Sequence, residues 1–383
     1  MPTSVPPLLT MMNELLSEIS VSSTSSQWDT GNRRVIDKLA GWLTTLGFQC
    51  EVIPLADKPN KANLIATLGS GPGGLVLSGH TDTVPFNEER WDMNPLSLTE
   101  QDNKLFGLGS TDMKGFFPIA IEAAKAFLDK PLKEPLIILA TADEESSMDG
   151  ARELAAQGAP KARYAVIGEP TDLTPIRMHK GMMMNAITVE GRAGHSSDPS
   201  LGNNAMEAMH LVMTDLLAFR AELQERYNNP LFKVAVPTLN LGCIHGGDNP
   251  NRICGQCELH FDVRALPGMN NDDVTNEISH RLTPLAKQLK VNISLRSLIK
   301  PLQPFEQPAD SELVKVAEQL TGHSSESVAF ATEGPLLQQL GMETIVMGPG
   351  SIDQAHQPNE YMALNQVQPA VDLLKQLIGR FCL

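Results

Sequence analysis

A short uncharged run, Leu75-Val76-Leu77-Ser78-Gly79, leads straight into His80-Thr-Asp82-Thr-Val-Pro85, and this junction constrains the fold more than any other stretch. An apolar run of this length reads as a buried strand. In open α/β sheets, the groups that meet ligand lie just past the carboxyl ends of the strands. The same junction recurs along the chain. Residues 136–142 run into Asp143-Glu144-Glu145, 164–168 into Glu169-Pro170, and 344–347 into a Gly-Pro-Gly loop followed by His356. Four apolar strands that each deliver a histidine or a carboxylate at the same kind of end predict a metal site.

The candidate ligands are His80, Asp112, Glu145, Glu169 and His356, two imidazoles and three carboxylates suited to zinc or a related divalent ion. The absence of cysteine from this set points to a catalytic site, because closed structural zinc sites favour thiolates. Five side chains exceed what one open zinc takes and suit two ions if a carboxylate bridges. Asp112, at the head of an expected helix in Gly109-Ser-Thr-Asp-Met-Lys-Gly115, is the natural bridge. Asp82 is placed to hold the distal ring nitrogen of His80 and fix the ligating tautomer. Glu144 and Glu145 are adjacent, so they point different ways from an extended chain end. Glu145 is read as the ligand and Glu144 as the general base that takes a proton from a metal-activated water.

The chain has 383 residues, more than one core accommodates, so two domains are expected. Helices and strands alternate up to about Lys180, as in an α/β unit with a mostly parallel sheet flanked by helices. Thr30 is the expected cap of a second helix showing Val35, Leu39, Trp42 and Leu43. From residue 181 to 302 the pattern changes to two long helices and several strands of alternating polarity, an α+β unit with a half-exposed antiparallel sheet. The alternation of the first unit resumes at 303. The expected organisation is therefore residues 1–180 plus 303–383 as a metal-binding catalytic domain, interrupted by a smaller domain at 181–302.

The formal net charge of −15 argues against nucleic acid and anionic membrane surfaces as partners and is compatible with a cationic small substrate. No segment approaches the ~20 apolar residues of a membrane span. The start, Met1-Pro2-Thr3-Ser4-Val5-Pro6-Pro7, lacks the basic and apolar regions of a signal peptide. Five cysteines suggest a reducing compartment, and the cytosol is the expected address. Cys254-Gly-Gln-Cys257 has no second pair to complete a zinc site. It sits in a strand-like run, where residues three apart face opposite sides.

His80-Thr-Asp-Thr-Val-Pro, Gly109-x-x-Asp112-Met-Lys-Gly, Asp143-Glu-Glu, Gly168-Glu-Pro-Thr and the late His356 together resemble the M20 family of co-catalytic zinc amidohydrolases. The match keeps its order along the whole chain. Finer details resemble the bacterial branch that acts on N2-acetyl-L-ornithine. They are Gly194-His-Ser-Ser-Asp-Pro, His245-Gly-Gly-Asp, Asn251-Arg-Ile-Cys and the segment from Gly348 to Tyr361. The resemblance implies that His80, Asp112 and Glu169 hold one ion and Asp112, Glu145 and His356 the other, Zn2+ or Co2+, with Glu144 as base. It implies a cis peptide at Asp112–Met113 and an inserted domain that serves as lid and as homodimer contact. It also implies that His195 stabilises the oxyanion in the partner's site and that Arg264 grips the substrate α-carboxylate.

Asn251 follows a tight turn, and lid asparagines of relatives contact substrate. Glu333, in a loop, is a candidate partner for a cationic substrate group. The expected function is hydrolysis of N2-acetyl-L-ornithine to L-ornithine and acetate in arginine biosynthesis. The same chemistry on another N-acyl amino acid or a dipeptide is the near alternative, since pocket volume and one charge decide such preferences. A catalytically silent binding protein of this fold would lack a ligand or the base, and none is missing.

Overall fold

A computed structural model of the chain describes residues 4–383, so Met1-Pro2-Thr3 of the leader argument lie outside the described residues. The chain divides into two compact units. One takes the chain up to Arg177 with Gln307–Glu326 and Thr332–Leu383; the other takes Met178–Glu306 with Ser327–Ala331. The second unit thus reaches a few residues beyond 181–302 at each end and includes a short return near position 330.

In the first unit the central strands lie in the order Leu136–Thr141, Leu75–His80, Tyr164–Pro170 and Glu343–Gly348, and all of them are parallel. These are the runs that read as strands because they are apolar throughout. The first three are buried along their whole length, as a parallel sheet covered on both faces requires. Lys58–Leu68 and then Gln49–Leu55 extend the sheet antiparallel beyond Leu136–Thr141. Leu75, Leu77, Ile138, Val166 and Ile345 share one core with residues of the helices Leu8–Leu16, Arg33–Thr45, Phe116–Lys125 and Leu364–Cys382. Their alternates Val76, Ile137, Ala165 and Val346 are buried on the other face.

The helix Arg33–Thr45 starts later than expected, and Thr30 does not cap it. Its hydroxyl donates to the Val21 carbonyl, while Asn32 at the helix start spends its amide on Ala62 and Thr81. A small sheet of three-residue strands, Thr99–Gln101, Lys104–Phe106 and Tyr361–Ala363, was not expected. It pairs Phe106 with Tyr361 and so ties the late chain to the loop that carries Asp112.

The second unit is an antiparallel sheet in the order Thr238–Gly246, Gln256–Arg264, Met183–Glu190, Asn292–Ser297, with the helices Ala205–Arg226 and Asn271–Leu289. Along Gln256–Arg264, Cys257, Leu259, Phe261 and Val263 enter the core while their alternates face away. Asn204 caps the long helix through bonds from the Met206 and Glu207 amides. Cys254 precedes the strand instead of lying in it. Both Cys254 and Cys257 are buried, contrary to the opposite-face expectation, and all five cysteines are free thiols.

Candidate metal centre

His80 ends its strand with an almost wholly buried ring. Its Nδ1–H donates to the Asp82 backbone carbonyl at 2.9 Å, which leaves the Nε2 lone pair available to a cation. Sequence gave this duty to the Asp82 carboxylate. That carboxylate lies 3.7 Å from Nδ1 and is engaged elsewhere. It accepts the backbone N–H groups of Glu144 at 3.2 Å and Glu145 at 3.0 Å. Asp82 therefore orients the Glu144–Glu145 turn with its side chain and His80 with its backbone.

His80 Nε2 lies 2.9 Å from Asp112 Oδ1 and 3.7 Å from Glu169 Oε1. His356 Nε2 lies 3.2 Å from Asp112 Oδ2 and 2.9 Å from Glu145 Oε1. Each oxygen of Asp112 thus faces a different imidazole, the disposition a bridging carboxylate needs. Ligands about 2 Å from a shared ion stand roughly 3 Å apart, so these separations fit a divalent pair. One donor atom each from His80, Asp112 and Glu145 lies within 4.8 Å of the others, and the same holds for His80, Glu144 and Glu169. Glu144 accordingly borders the centre. The Asp112–Met113 peptide is cis.

Charge also fits cations. Asp82, Asp112, Glu169, Glu333 and Glu360 are all buried, against His80 and Lys114 as the buried cations beside them. Burial raises the Glu144 pKa well above the ordinary value; His80 opposes the shift and the carboxylates of Glu169, Glu145 and Glu333 add to it. Glu145 and Glu169 are raised for the same first reason. Burial opposes the charged form of His80, but Asp112, Glu169 and Asp82 outweigh it and raise its pKa. Such an excess of buried negative charge is what bound divalent ions offset.

The turn that presents Glu144 and Glu145 is anchored from behind. Asp143 adopts a left-handed φ of 61°. Its carboxylate accepts Lys58 Nζ at 2.6 Å, Lys61 Nζ and the Ser22 hydroxyl. Sequence reading missed these lysines, which stand some eighty residues from the turn. It also left Lys114 and Glu360 without a role, although both stand inside the quoted motifs. Glu333, expected in a loop, is only 1% exposed, at the start of the short helix Gly334–Gln339. Burial raises its pKa to about 7 against the pull of Thr141 and His80, and its Oε1 has no hydrogen-bond partner among the described residues.

His195, Asn251 and Arg264 belong to the second unit. The His195 ring is exposed, and its Nδ1 accepts the Ser197 N–H at 3.2 Å, which puts the proton of the neutral ring on Nε2. The Asn251 carbonyl accepts the Ser196 N–H, so the two loops are joined. Arg264 ends its strand and donates through Nε to Asp262 at 2.9 Å.

Residues 76–380 match peptidase family M20/M25/M40. The chain is 47% identical over its whole length to all of a protein named acetylornithine deacetylase from Pectobacterium carotovorum subsp. carotovorum. It is 48% identical, again over the full length of both chains, to one so named from Edwardsiella ictaluri. Among solved structures, an M20 family metallo-carboxypeptidase from Sulfolobus solfataricus aligns with a TM-score of 0.75 at 16% identity, over 98% of this chain and 99% of that one. A Bacillus subtilis protein described as a dinuclear metal binding peptidase of the M20 family aligns with a TM-score of 0.70 at 13% identity, over 97% of this chain and 98% of that one. On the family match and the full-length relatives, this chain belongs to peptidase family M20/M25/M40.

Proposed function

We propose that this protein hydrolyses N2-acetyl-L-ornithine to L-ornithine and acetate, a step of arginine biosynthesis, with two divalent ions, Zn2+ or Co2+. His80, Asp112 and Glu169 would hold one ion and Asp112, Glu145 and His356 the other. When bound, such ions lower the pKa of a water and stabilise developing negative charge. Glu144 takes the proton from the attacking water and returns it to the leaving amine nitrogen. Asp82 fixes the Glu144–Glu145 turn and the His80 tautomer. His195 presents an Nε2–H donor to the oxyanion, Arg264 offers a planar fork to the α-carboxylate, and Asn251 adds a polar contact beside His195. Glu333 serves the substrate's cationic chain, because a carboxylate oxygen buried without a partner gains from a cation.

The observation that carries the chemistry is Asp112, with one oxygen toward each imidazole. The substrate rests on relatives of 45–48% identity named for it. The protein is read as a cytosolic homodimer joined through the second unit. Its edge strand Thr238–Gly246, which carries the exposed Ile244, offers unpaired backbone for such a contact. Among the described residues no helix is long and apolar enough to cross a membrane.

Turnover of acetylornithine, acetylmethionine and succinyl-diaminopimelate, measured before and after chelation, tests the reading. Acetylornithine should be the best substrate, and activity should vanish with chelator and return with Zn2+ or Co2+. A preference for another acyl amino acid or a dipeptide would move the protein to a neighbouring specificity. Activity indifferent to thorough chelation would remove the two-ion reading. Glu333→Gln should shift the preference away from the cationic substrate, and an unchanged preference would strike Glu333 from the site.

A further inference from the structure

Glu360 is buried to 2% exposure and makes no salt bridge among the described residues. Its carboxylate instead accepts three backbone amides of one loop. Oε1 takes the N–H of Thr111 at 2.8 Å and of Asp112 at 3.0 Å, and Oε2 takes the N–H of Gly109 at 3.0 Å. Two more bonds tie the same segments, from Gly107 N–H to the Glu360 carbonyl at 3.1 Å and from the Thr111 hydroxyl to the Tyr361 carbonyl at 2.7 Å. Glu360, with Tyr361 beside it, thus closes the Asp112 loop from the far end of the chain.

The segment Glu360 belongs to also carries His356. The other ligands have their own supports. His80 and Glu169 stand on fully buried central strands, and Asp82 holds the turn of Glu145. His356 has neither. It follows a short 3-10 turn, Ile352–Gln354, adopts φ 60°, and leaves 53% of its side chain exposed. After His356 the chain is held first at Asn359, whose side chain bonds to Asp92 at 2.8 Å, and then at Glu360, the first residue that ties it to the Asp112 loop itself.

We infer that Glu360 is a positioning residue that sets the spacing between Asp112 and His356, and thereby the affinity of the second ion far more than that of the first, which needs Asp112 but not His356. This rests on the reading that Asp112, Glu145 and His356 hold that ion. Removing a group that orients metal ligands typically costs 10–100-fold in affinity. Here the loss should fall on one ion. A residue serving only stability would lower the melting temperature and leave both affinities alike.

The test is calorimetric titration of chelator-stripped protein with Co2+, with the melting temperature of the metal-free protein recorded alongside. The parent should bind two ions. Glu360→Gln should weaken one of the two ions about tenfold or more and leave the other within about threefold. If Glu360→Gln does not fold, Thr111→Ala, which cuts the hydroxyl tie between the same segments, should show the same selective loss to a smaller degree. Equal weakening of both ions, or no weakening of either, overturns the inference while leaving a two-ion centre intact. A parent that binds a single ion overturns the two-ion reading itself.

Discussion

Glu144 and Glu145 are neighbours in sequence and differ in surroundings, and that difference assigns their roles. Glu145 lies 2.9 Å from the His356 ring, whereas Glu144 lies within reach of His80 and Glu169 without a hydrogen bond to His356. Glu144→Ala should therefore keep both ions and lose about 10²–10⁴-fold in kcat, checked by metal analysis beside steady-state rates. Substantial retained turnover would return Glu144 to the role of a spectator. A second residue-scale test lies in the other unit. Hydrogen bonds from His260 and Thr188, with Arg296 alongside, hold Glu258 down at about 2. An ordinary glutamate titrates near ~4.3 in the unfolded chain, so this pairing stabilises the fold fully above that value and is lost as pH falls through the folded one. Glu258→Gln should lower the melting temperature at neutral pH, and the gap to the parent should narrow below about pH 4 and close toward about pH 2. A gap independent of pH would mean that the side chain's shape matters and its charge does not.

At the scale of elements, the strand Tyr164–Pro170 and the helix Phe116–Lys125 meet at one glycine. A methyl group on Gly168 would fall 2.2 Å from the Phe116 ring, which is buried to 1% exposure. Overpacking of this kind costs roughly 1–3 kcal/mol and moves backbone. Gly168→Ala should lose that much stability and also turnover, because Glu169 is the next residue. Phe116→Leu in the same chain should recover part of both, and a failure to recover would place the strain elsewhere. The central strands were legible because they are unbroken apolar runs ending in histidine or carboxylate, and their parallel order followed from the helices between them. Helix starts were less legible. Thr30 and Asn32 are both capping residue types, yet neither caps the helix, because Thr30 bonds to Val21 and Asn32 to Ala62 and Thr81. The three-residue strands around Phe106 and Tyr361 carry no periodicity that sequence reading can detect. Glu360 escaped for a related reason, since its partners are backbone amides some 250 positions away and no residue type announces them. Asp82 shows the limit most plainly. Its importance was readable from its spacing to His80, whereas the division of labour between its backbone and its side chain was not.

At the scale of the whole molecule, the proposed homodimer sets a test of which copy of the chain supplies His195 to each centre. His195 sits in the second unit on an exposed turn, with its ring proton directed by Ser197 to Nε2. In a twofold dimer every residue of one protomer has an equivalent in the other, so a group acting in trans leaves a signature that a group acting in cis does not. Glu144→Ala and His195→Ala should each be nearly inactive alone. Co-expressed, they form mixed dimers in which one centre keeps Glu144 and receives the intact His195 from its neighbour, while the other centre lacks both. Random pairing makes about half of the dimers mixed, so the co-expressed pool should recover about a quarter of the parent's turnover. Action in cis gives no recovery, because each centre then carries one of the two lesions whatever its neighbour holds. Sedimentation of the parent gives the matching control: a fully active monomer would exclude the exchange, and a dimer with no recovery would confine His195 to its own centre.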